Sequence, residues 1–248
     1  MKVLPRINLA YWLTLAGASV FGTNTGDFCS DVLHMGHLQG LPVLATAFAV
    51  VLIAEKLIKS GSALFFWAAI IVIRTAATNV GDAFHDYNIG FEVSLPACLA
   101  IFAILVLLYW RLSPRPADNT VKVGWLYWLC MIMAGVVGTI GGDYASFGLR
   151  LMPPGTAAVF SAVTALLVAV GFKRLWTWPP YYWLTLAIIR TGGTGGGDAL
   201  AHALGLPQST VWTGAIFVGF VLLFYVLFQE ANQGESRSAG AGLADAAN

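Results

Sequence analysis

Apolar stretches of about 20 residues recur along the whole chain and are separated by short polar junctions. A helix needs roughly 20 predominantly apolar residues to cross a lipid bilayer. Eight such stretches fit into the 248 residues. The pattern therefore predicts an all-α integral membrane protein with eight transmembrane helices in one domain, residues 8–231. Residues 232–248 are rich in Ala, Gly and Ser, which predicts a disordered cytoplasmic tail.

The composition supports this prediction. Hydrophobic residues make up 58% of the chain and charged residues only 10%, which leaves too little polar surface for a soluble domain of this length. We therefore expect the lipid bilayer to be the main partner and expect no nucleic-acid partner.

Basic residues cluster at alternate junctions between the apolar stretches. The clustered residues are Lys2, Arg6, Lys56, Lys59, Arg111, Arg115, Lys122, Lys173, Arg174 and Arg237. The other junctions contain only Arg150. Because positive residues are retained on the cytoplasmic side of a membrane, this pattern predicts that both termini are cytoplasmic.

The chain aligns with itself in four copies, over about residues 8–60, 63–112, 123–175 and 180–231. In each copy an Asp follows a Gly, a Thr stands four residues before that Asp, and a Trp stands fifteen residues before it. The four sets are Trp12, Thr23, Gly26, Asp27; Trp67, Thr78, Gly81, Asp82; Trp128, Thr139, Gly142, Asp143; and Trp183, Thr194, Gly197, Asp198. The first pair of copies maps onto the second with an offset of 116 residues.

Each copy is predicted to form a helical hairpin, whose first helix runs through the Gly-Asp motif. The second helix is predicted to open near a proline, since proline tolerates the first helical turn. These prolines are Pro42, Pro96, Pro154 and Pro207. Because each copy has two spans, all four enter the membrane in the same direction, as parallel repeats around a pseudo-symmetry axis. The tryptophans would then lie near the inner interface, where we expect them to act as interface anchors and in packing.

A polar stripe runs along each first helix, because residues four apart share a helix face. Its members are Thr23, Asp27, Asp31 and His34; Thr75, Thr78, Asp82 and Asp86; Thr139, Asp143 and Arg150, interrupted by Phe147; and Thr191, Thr194, Asp198 and His202. Carboxylates at membrane depth are costly when they face lipid. We therefore expect them to face one another, a partner or water.

Such a cluster favours a cation pathway, because carboxylates and hydroxyls can replace the hydration shell of an ion. The leading hypothesis is a transporter or channel for a small cation, with a divalent metal such as Mn2+, exchanged for protons, as the candidate cargo. The candidate metal ligands are Asp27, Asp82, Asp143, Asp198, Asp31, Asp86, His85 and His202. The four motif threonines would be supporting ligands. No tightly bound cofactor is expected.

Arg74 and Arg190 occur in the even copies, while the odd copies have Ser19 and Gly135 at the same position. The two arginines favour two alternatives to a cation pathway. The arginines could bind a small organic or anionic solute, or could neutralise two aspartates in a purely structural arrangement, as in a subunit of a membrane complex. An enzyme is not expected, since no nucleophile, base and orienting group recur together. A homodimer remains open.

The T-x-x-G-D segments give the chain a family resemblance. From Tyr11 to about Phe228 it resembles bacterial membrane proteins built from a short repeat of unknown function, described as uncharacterised membrane-anchored proteins. The resemblance implies an all-helical multi-pass architecture in the bacterial inner membrane and supplies no activity.

Overall fold

The computed structural model describes residues 6–58, 63–113, 123–172 and 175–245, with side chains to residue 225. Within these ranges the chain forms eight helices and no strand. They are α1 (Leu9–Asp27), α2 (Leu41–Leu57), α3 (Ala63–Asp86), α4 (Phe91–Leu112), α5 (Trp125–Asp143), α6 (Met152–Val170), α7 (Pro179–Leu204) and α8 (Leu206–Asp245). Consecutive pairs form four hairpins, as predicted. Six of the basic residues that predict topology lie outside the described residues, namely Lys2, Lys59, Arg115, Lys122, Lys173 and Arg174.

The helix starts follow local chemistry with one exception. Proline stands in the first turn of α2, α6 and α7, and Pro207 is the second residue of α8. Pro96, in contrast, lies inside α4, which begins at Phe91 after the N-cap residue Gly90. The prediction for Pro96 is therefore wrong, because the connection after α3 is shorter than its proline position suggested. A proline this close to the start of a helix removes only one backbone hydrogen bond of that helix.

The first helices α1, α3, α5 and α7 form a closed inner ring, in which each helix packs against the next and α7 packs against α1. The motif glycine of each repeat lies against the motif threonine of the next repeat. A Cβ atom added to the glycine would approach that threonine to 2.8 Å for Gly26 on Thr78, 2.7 Å for Gly81 on Thr139, 2.7 Å for Gly142 on Thr194 and 3.0 Å for Gly197 on Thr23. Glycine is thus needed for the close approach of the helices.

The outer helices interlock the repeats. Helix α2 packs on α3, α4 on α5 and α6 on α7, so each leans on the inner helix of the following repeat. Helix α8 packs mainly on α1 and so closes the circle. The four repeats therefore follow one another around the axis in chain order, and no hairpin buries its apolar surface alone.

The outer helices expose apolar side chains, including Val93, Leu99, Ile104 and Leu166. Five helical segments in the described ranges are long and apolar enough to cross a membrane, namely Ala63–Asp86, Phe91–Leu112, Trp125–Gly148, Met152–Val170 and Leu206–Tyr225. Continuous apolar surface of this kind is uncommon on soluble monomers. The helices therefore suggest a membrane protein.

Helix α8 is the longest helix in the described ranges. It continues to Asp245 and so includes residues 232–245, for which the composition predicted disorder. Residues 246–248 lie outside the described residues.

Candidate functional site

The four motif aspartates line one cavity of about 480 Å³. The cavity lies at the hairpin end of the bundle, defined here as the end where the two helices of each repeat are joined, near residues 28–40, 87–90, 144–151 and 205. Asp31, His37, His85 and Asp86 line the same cavity. The ring of aspartates is thus extended toward its mouth by two further carboxylates and two imidazoles.

The chain reaches the cavity differently in odd and even repeats. Asp27 and Asp143 are the last residues of α1 and α5, and each is followed by a π-helical turn, Phe28–Val32 and Tyr144–Gly148. In the even repeats α3 and α7 remain α-helical beyond Asp82 and Asp198. The π-helical turns change the direction of the side chains that follow, so the four-residue stripe does not continue unchanged in the odd repeats.

The carboxylates of Asp27, Asp82, Asp143 and Asp198 have no hydrogen-bond or ion-pair partner among the described residues. They also interact electrostatically with one another. Like charges held together in a partly buried site destabilise one another unless a positive charge or protons compensate them. Four ionised carboxylates in this ring therefore require compensation by positive charge or by protons.

Arg74 supplies one positive charge directly beneath the ring. Its side chain is fully buried, and its charge interacts with all four motif aspartates. Its Nη2 donates to Thr23 Oγ1 at 2.6 Å and to Thr194 Oγ1 at 2.8 Å. Its Nη1 donates to Thr139 Oγ1 at 2.8 Å and to the carbonyl oxygen of Gly135 at 3.3 Å.

Three of the motif threonines, one from each of the other three helices of the ring, thus accept hydrogen bonds from Arg74. None of the four lines the cavity. The hydroxyl of Thr78, which shares α3 with Arg74, is buried and has no hydrogen-bond partner among the described residues. The threonines therefore lie beneath the cavity and do not line it. The sequence analysis predicts them as supporting ligands for a cargo.

Arg190 occupies the equivalent position in α7 and has different surroundings. It is fully buried, and its Nη2 lies 3.5 Å from the sulfur of Met131. Its Nε and Nη1 have no hydrogen-bond partner in the part of the chain that the structure describes. Neither arginine lines the cavity.

The end of the ring axis opposite the hairpin end, called the inner end here, is closed by aromatic side chains that the sequence analysis missed. The residue before each repeated tryptophan is aromatic and fully buried or nearly so; these are Tyr11, Phe66, Tyr127 and Tyr182. The Tyr182 hydroxyl hydrogen-bonds to that of Tyr11 at 2.6 Å and to that of Tyr127 at 3.0 Å. An aromatic residue at the same place in all four copies was the signal that could have revealed this layer.

Three of the repeated tryptophans, Trp12, Trp67 and Trp183, are buried in the same layer. Trp12 packs edge-on against Tyr11 and Trp67 packs against it at a tilt, with ring centroids 5.5 Å apart in both pairs. Of the two roles predicted for the tryptophans, packing is the one that the structure shows for these three, because the inner ring needs large side chains to fill its closed end.

The histidines are distributed unevenly. His37 Nδ1 lies 2.6 Å from an Asp86 carboxylate oxygen and so joins the first two repeats at the cavity mouth. His202 is exposed outside the cavity, where its Nδ1 lies 2.7 Å from the backbone oxygen of Asp198. His34 is also exposed and outside the cavity. In the third repeat, Phe147 takes the cavity position that acidic residues hold in the first two.

The predicted metal ligands do not form a compact ligand set. No group of three or more His, Cys, Asp or Glu side chains in the described ranges is arranged to hold a metal ion. Seven of the eight candidates line the cavity and His202 does not. The carboxylates surround a wide space, and direct coordination of one ion by several of them requires the ring to contract.

Residues 10–59 and 126–174 match the model of a family described as Repeat of Unknown Function (DUF347). The two matches begin 116 residues apart, which is the offset that relates the two halves of the chain. The resemblance noted from the T-x-x-G-D motif is thereby confirmed. No curated protein and no solved structure matches the chain.

Proposed function

For this chain, which carries two copies of a repeat of unknown function, we propose the function of a membrane transporter for a small cation. The four motif aspartates would bind the cargo in the cavity at the hairpin end. Exchange of a divalent metal such as Mn2+ for protons is the version that the oxygen-rich ring suggests. The protein would act in the bacterial inner membrane with both termini cytoplasmic.

The observation that carries the proposal is the set of four carboxylates without partners in one cavity. A structural role would pair each aspartate with a helix terminus, a hydroxyl or an arginine. Arg74 instead directs its hydrogen bonds to threonines and a backbone carbonyl. The uncompensated negative charge of the ring is therefore available to a cation or to protons.

The closed axis supports a carrier over an open pore. Beneath the ring, Arg74 fills the threonine layer, and the fully buried side chains of Leu15, Ile70, Met131 and Leu186 lie one layer further in. The tyrosine layer closes the inner end. Cargo in the cavity thus reaches one side of the bundle, and passage to the other side requires a change in conformation.

The test is ion flux in proteoliposomes, with Mn2+ and proton movement measured together. Asp82→Asn combined with Asp198→Asn should reduce both fluxes at least tenfold, because two of the four charges are lost. Glu92→Gln is the matched control, since Glu92 is an exposed carboxylate outside the cavity. If the double variant folds and its Mn2+ and proton fluxes are both unchanged, the proposal is refuted.

One observation favours a second candidate, a transporter for a small anionic solute. Arg190 has two buried nitrogens without hydrogen-bond partners in the described chain, and a buried guanidinium of this kind attracts an anion. Uptake of a carboxylate or phosphate solute that is abolished by Arg190→Gln and insensitive to the aspartate substitutions would establish this candidate in place of the first.

A further inference from the structure

The size of the cavity bears on the kind of cation that it takes. A volume of about 480 Å³ falls in the range of pockets for small organic ligands, roughly 300–1,000 Å³. A directly coordinated divalent ion instead needs several donor atoms within about 2.0–2.6 Å of one point. The described residues contain no such group of three side chains. The empty space around the ring is therefore excessive for a bare ion.

The composition of the cavity wall points the same way. Phe84, Phe91 and Phe147 line the cavity together with Ile89 and Ile140, and all five belong to the second and third repeats. Phe147 is 54% exposed although it lies in the bundle's cavity-facing segment. The ring carboxylates and this apolar wall thus face one space, in which a ligand can contact both.

These two parts select different portions of one ligand. A cation gains electrostatic stabilisation from the aspartates and from the faces of aromatic rings within about 6 Å. An apolar substituent gains from burial against phenylalanine and isoleucine, at roughly 25 cal/mol for each Å² removed from water. A hydrated metal ion uses only the first contribution and leaves the apolar wall in contact with water.

We propose that the cargo is an organic ammonium cation that carries an aromatic or aliphatic group, with its charged nitrogen at the aspartate ring and its apolar group against Phe84, Phe91 and Phe147. This inference rests on the proposed function, a transporter for a small cation at this site, and names an organic ammonium ion as the cargo in place of a divalent metal. On this proposal, Phe147, which interrupts the polar stripe of the third repeat, recognises the apolar group of the cargo.

The experiment is calorimetric titration of the purified full-length protein with benzyltrimethylammonium and, separately, with Mn2+. Wild-type protein should bind benzyltrimethylammonium saturably and more tightly than tetramethylammonium, which has the charge without the phenyl ring. Phe147→Ala should weaken binding of the aromatic probe about five- to tenfold, which corresponds to the usual contribution of one aromatic contact. Leu149→Ala is the control, because Leu149 is an exposed apolar residue of the same connection and lies outside the cavity.

Phe147→Asp gives a second, opposite readout, because it installs the acidic group that the first two repeats carry. It should weaken benzyltrimethylammonium binding and strengthen Mn2+ binding. Since Phe147 is exposed, both variants should fold, and the thermal unfolding of each provides the check.

The outcomes separate the inference from the proposed function. Binding of Mn2+ that depends on Asp82 and Asp198, without binding of either ammonium probe, overturns the inference and leaves a cation transporter. Ammonium binding that is unaffected by Phe147→Ala and Phe84→Ala also overturns it. Binding of none of the probes by folded protein, with no effect of the aspartate substitutions on flux, refutes both.

Discussion

Arg74 should stabilise the bundle far more than its repeat-related counterpart Arg190. Arg74→Met removes a buried guanidinium that makes three hydrogen bonds of 2.6–2.8 Å to threonine hydroxyls and one of 3.3 Å to a carbonyl. Each such bond contributes about 1 kcal/mol net, and more when the donor is charged. The substitution also removes the positive charge beneath four carboxylates. We expect a loss of about 3–5 kcal/mol in the free energy of unfolding, the range for breaking a buried charged network.

The matched control is Arg190→Met, which changes the same residue type at the equivalent position. Arg190 makes one long contact to the sulfur of Met131, and its other described nitrogens lack partners. Replacement of a poorly paired buried charge by an apolar side chain of similar length should therefore cost about 1 kcal/mol or less, or increase stability. The assay is reversible unfolding in detergent micelles, followed by helix content. Equal losses for the two variants would refute the reasoning, because the threonine cradle would then contribute nothing specific to Arg74.

Two further substitutions test the layers around the axis. Gly138→Ala should lower the free energy of unfolding by about 1–3 kcal/mol, because the new Cβ would lie 2.8 Å from the backbone carbonyl carbon of Arg190. Gly219→Ala in α8 should instead be neutral or stabilising by up to about 1 kcal/mol, since no atom of the described residues lies within 4 Å of its Cβ position. A similar loss for both would contradict the close packing of α5 on α7. Tyr182→Phe should cost about 1–3 kcal/mol in the same unfolding assay, because it breaks both hydroxyl contacts of the tyrosine layer. Tyr87→Phe, at an exposed tyrosine, should change stability by less than about 0.5 kcal/mol, and indistinguishable effects of the two would argue against the hydrogen-bonded layer.

The sequence contains enough information to predict the hairpins and the order of their helices, because the spacing of Trp, Thr, Gly and Asp is kept in all four copies. Equivalence also predicts that Asp27, Asp82, Asp143 and Asp198 lie at one depth, and they line one cavity. The partners of the motif residues could not be predicted in the same way. Which helix lies beside which determines that Thr23, Thr139 and Thr194 meet one arginine, and this adjacency has no local signature in the chain.

The start of α4 and the inner aromatic layer show a second limit. Pro96 has the same role in the repeat pattern as the other three prolines, yet its helix begins at Phe91 because α3 remains α-helical to Asp86 and only a short turn follows. Tryptophan is a residue type that is enriched at membrane interfaces. Trp12, Trp67 and Trp183 are buried because the four first helices close into a ring, and large inward-facing side chains fill the inner end of that ring. Both features depend on tertiary packing, which a single repeat does not encode.

Arg74 and Arg190 show why an exact repeat of residues does not produce an exact repeat of the site. Both stand eight residues before a motif aspartate and both face the centre of the ring. The threonine layer surrounds the axis once, and its hydroxyls from three helices are engaged by the guanidinium of Arg74. A second guanidinium in the same layer would face the first, and Arg190 instead lies with its Nη2 3.5 Å from the sulfur of Met131. The duplicated pair of arginines therefore yields one charge held beneath the aspartate ring and one held deeper without full pairing. For the proposed cation transport, the four motif carboxyl groups at the cavity, with only Arg74 directly below them, make a cation the expected ligand.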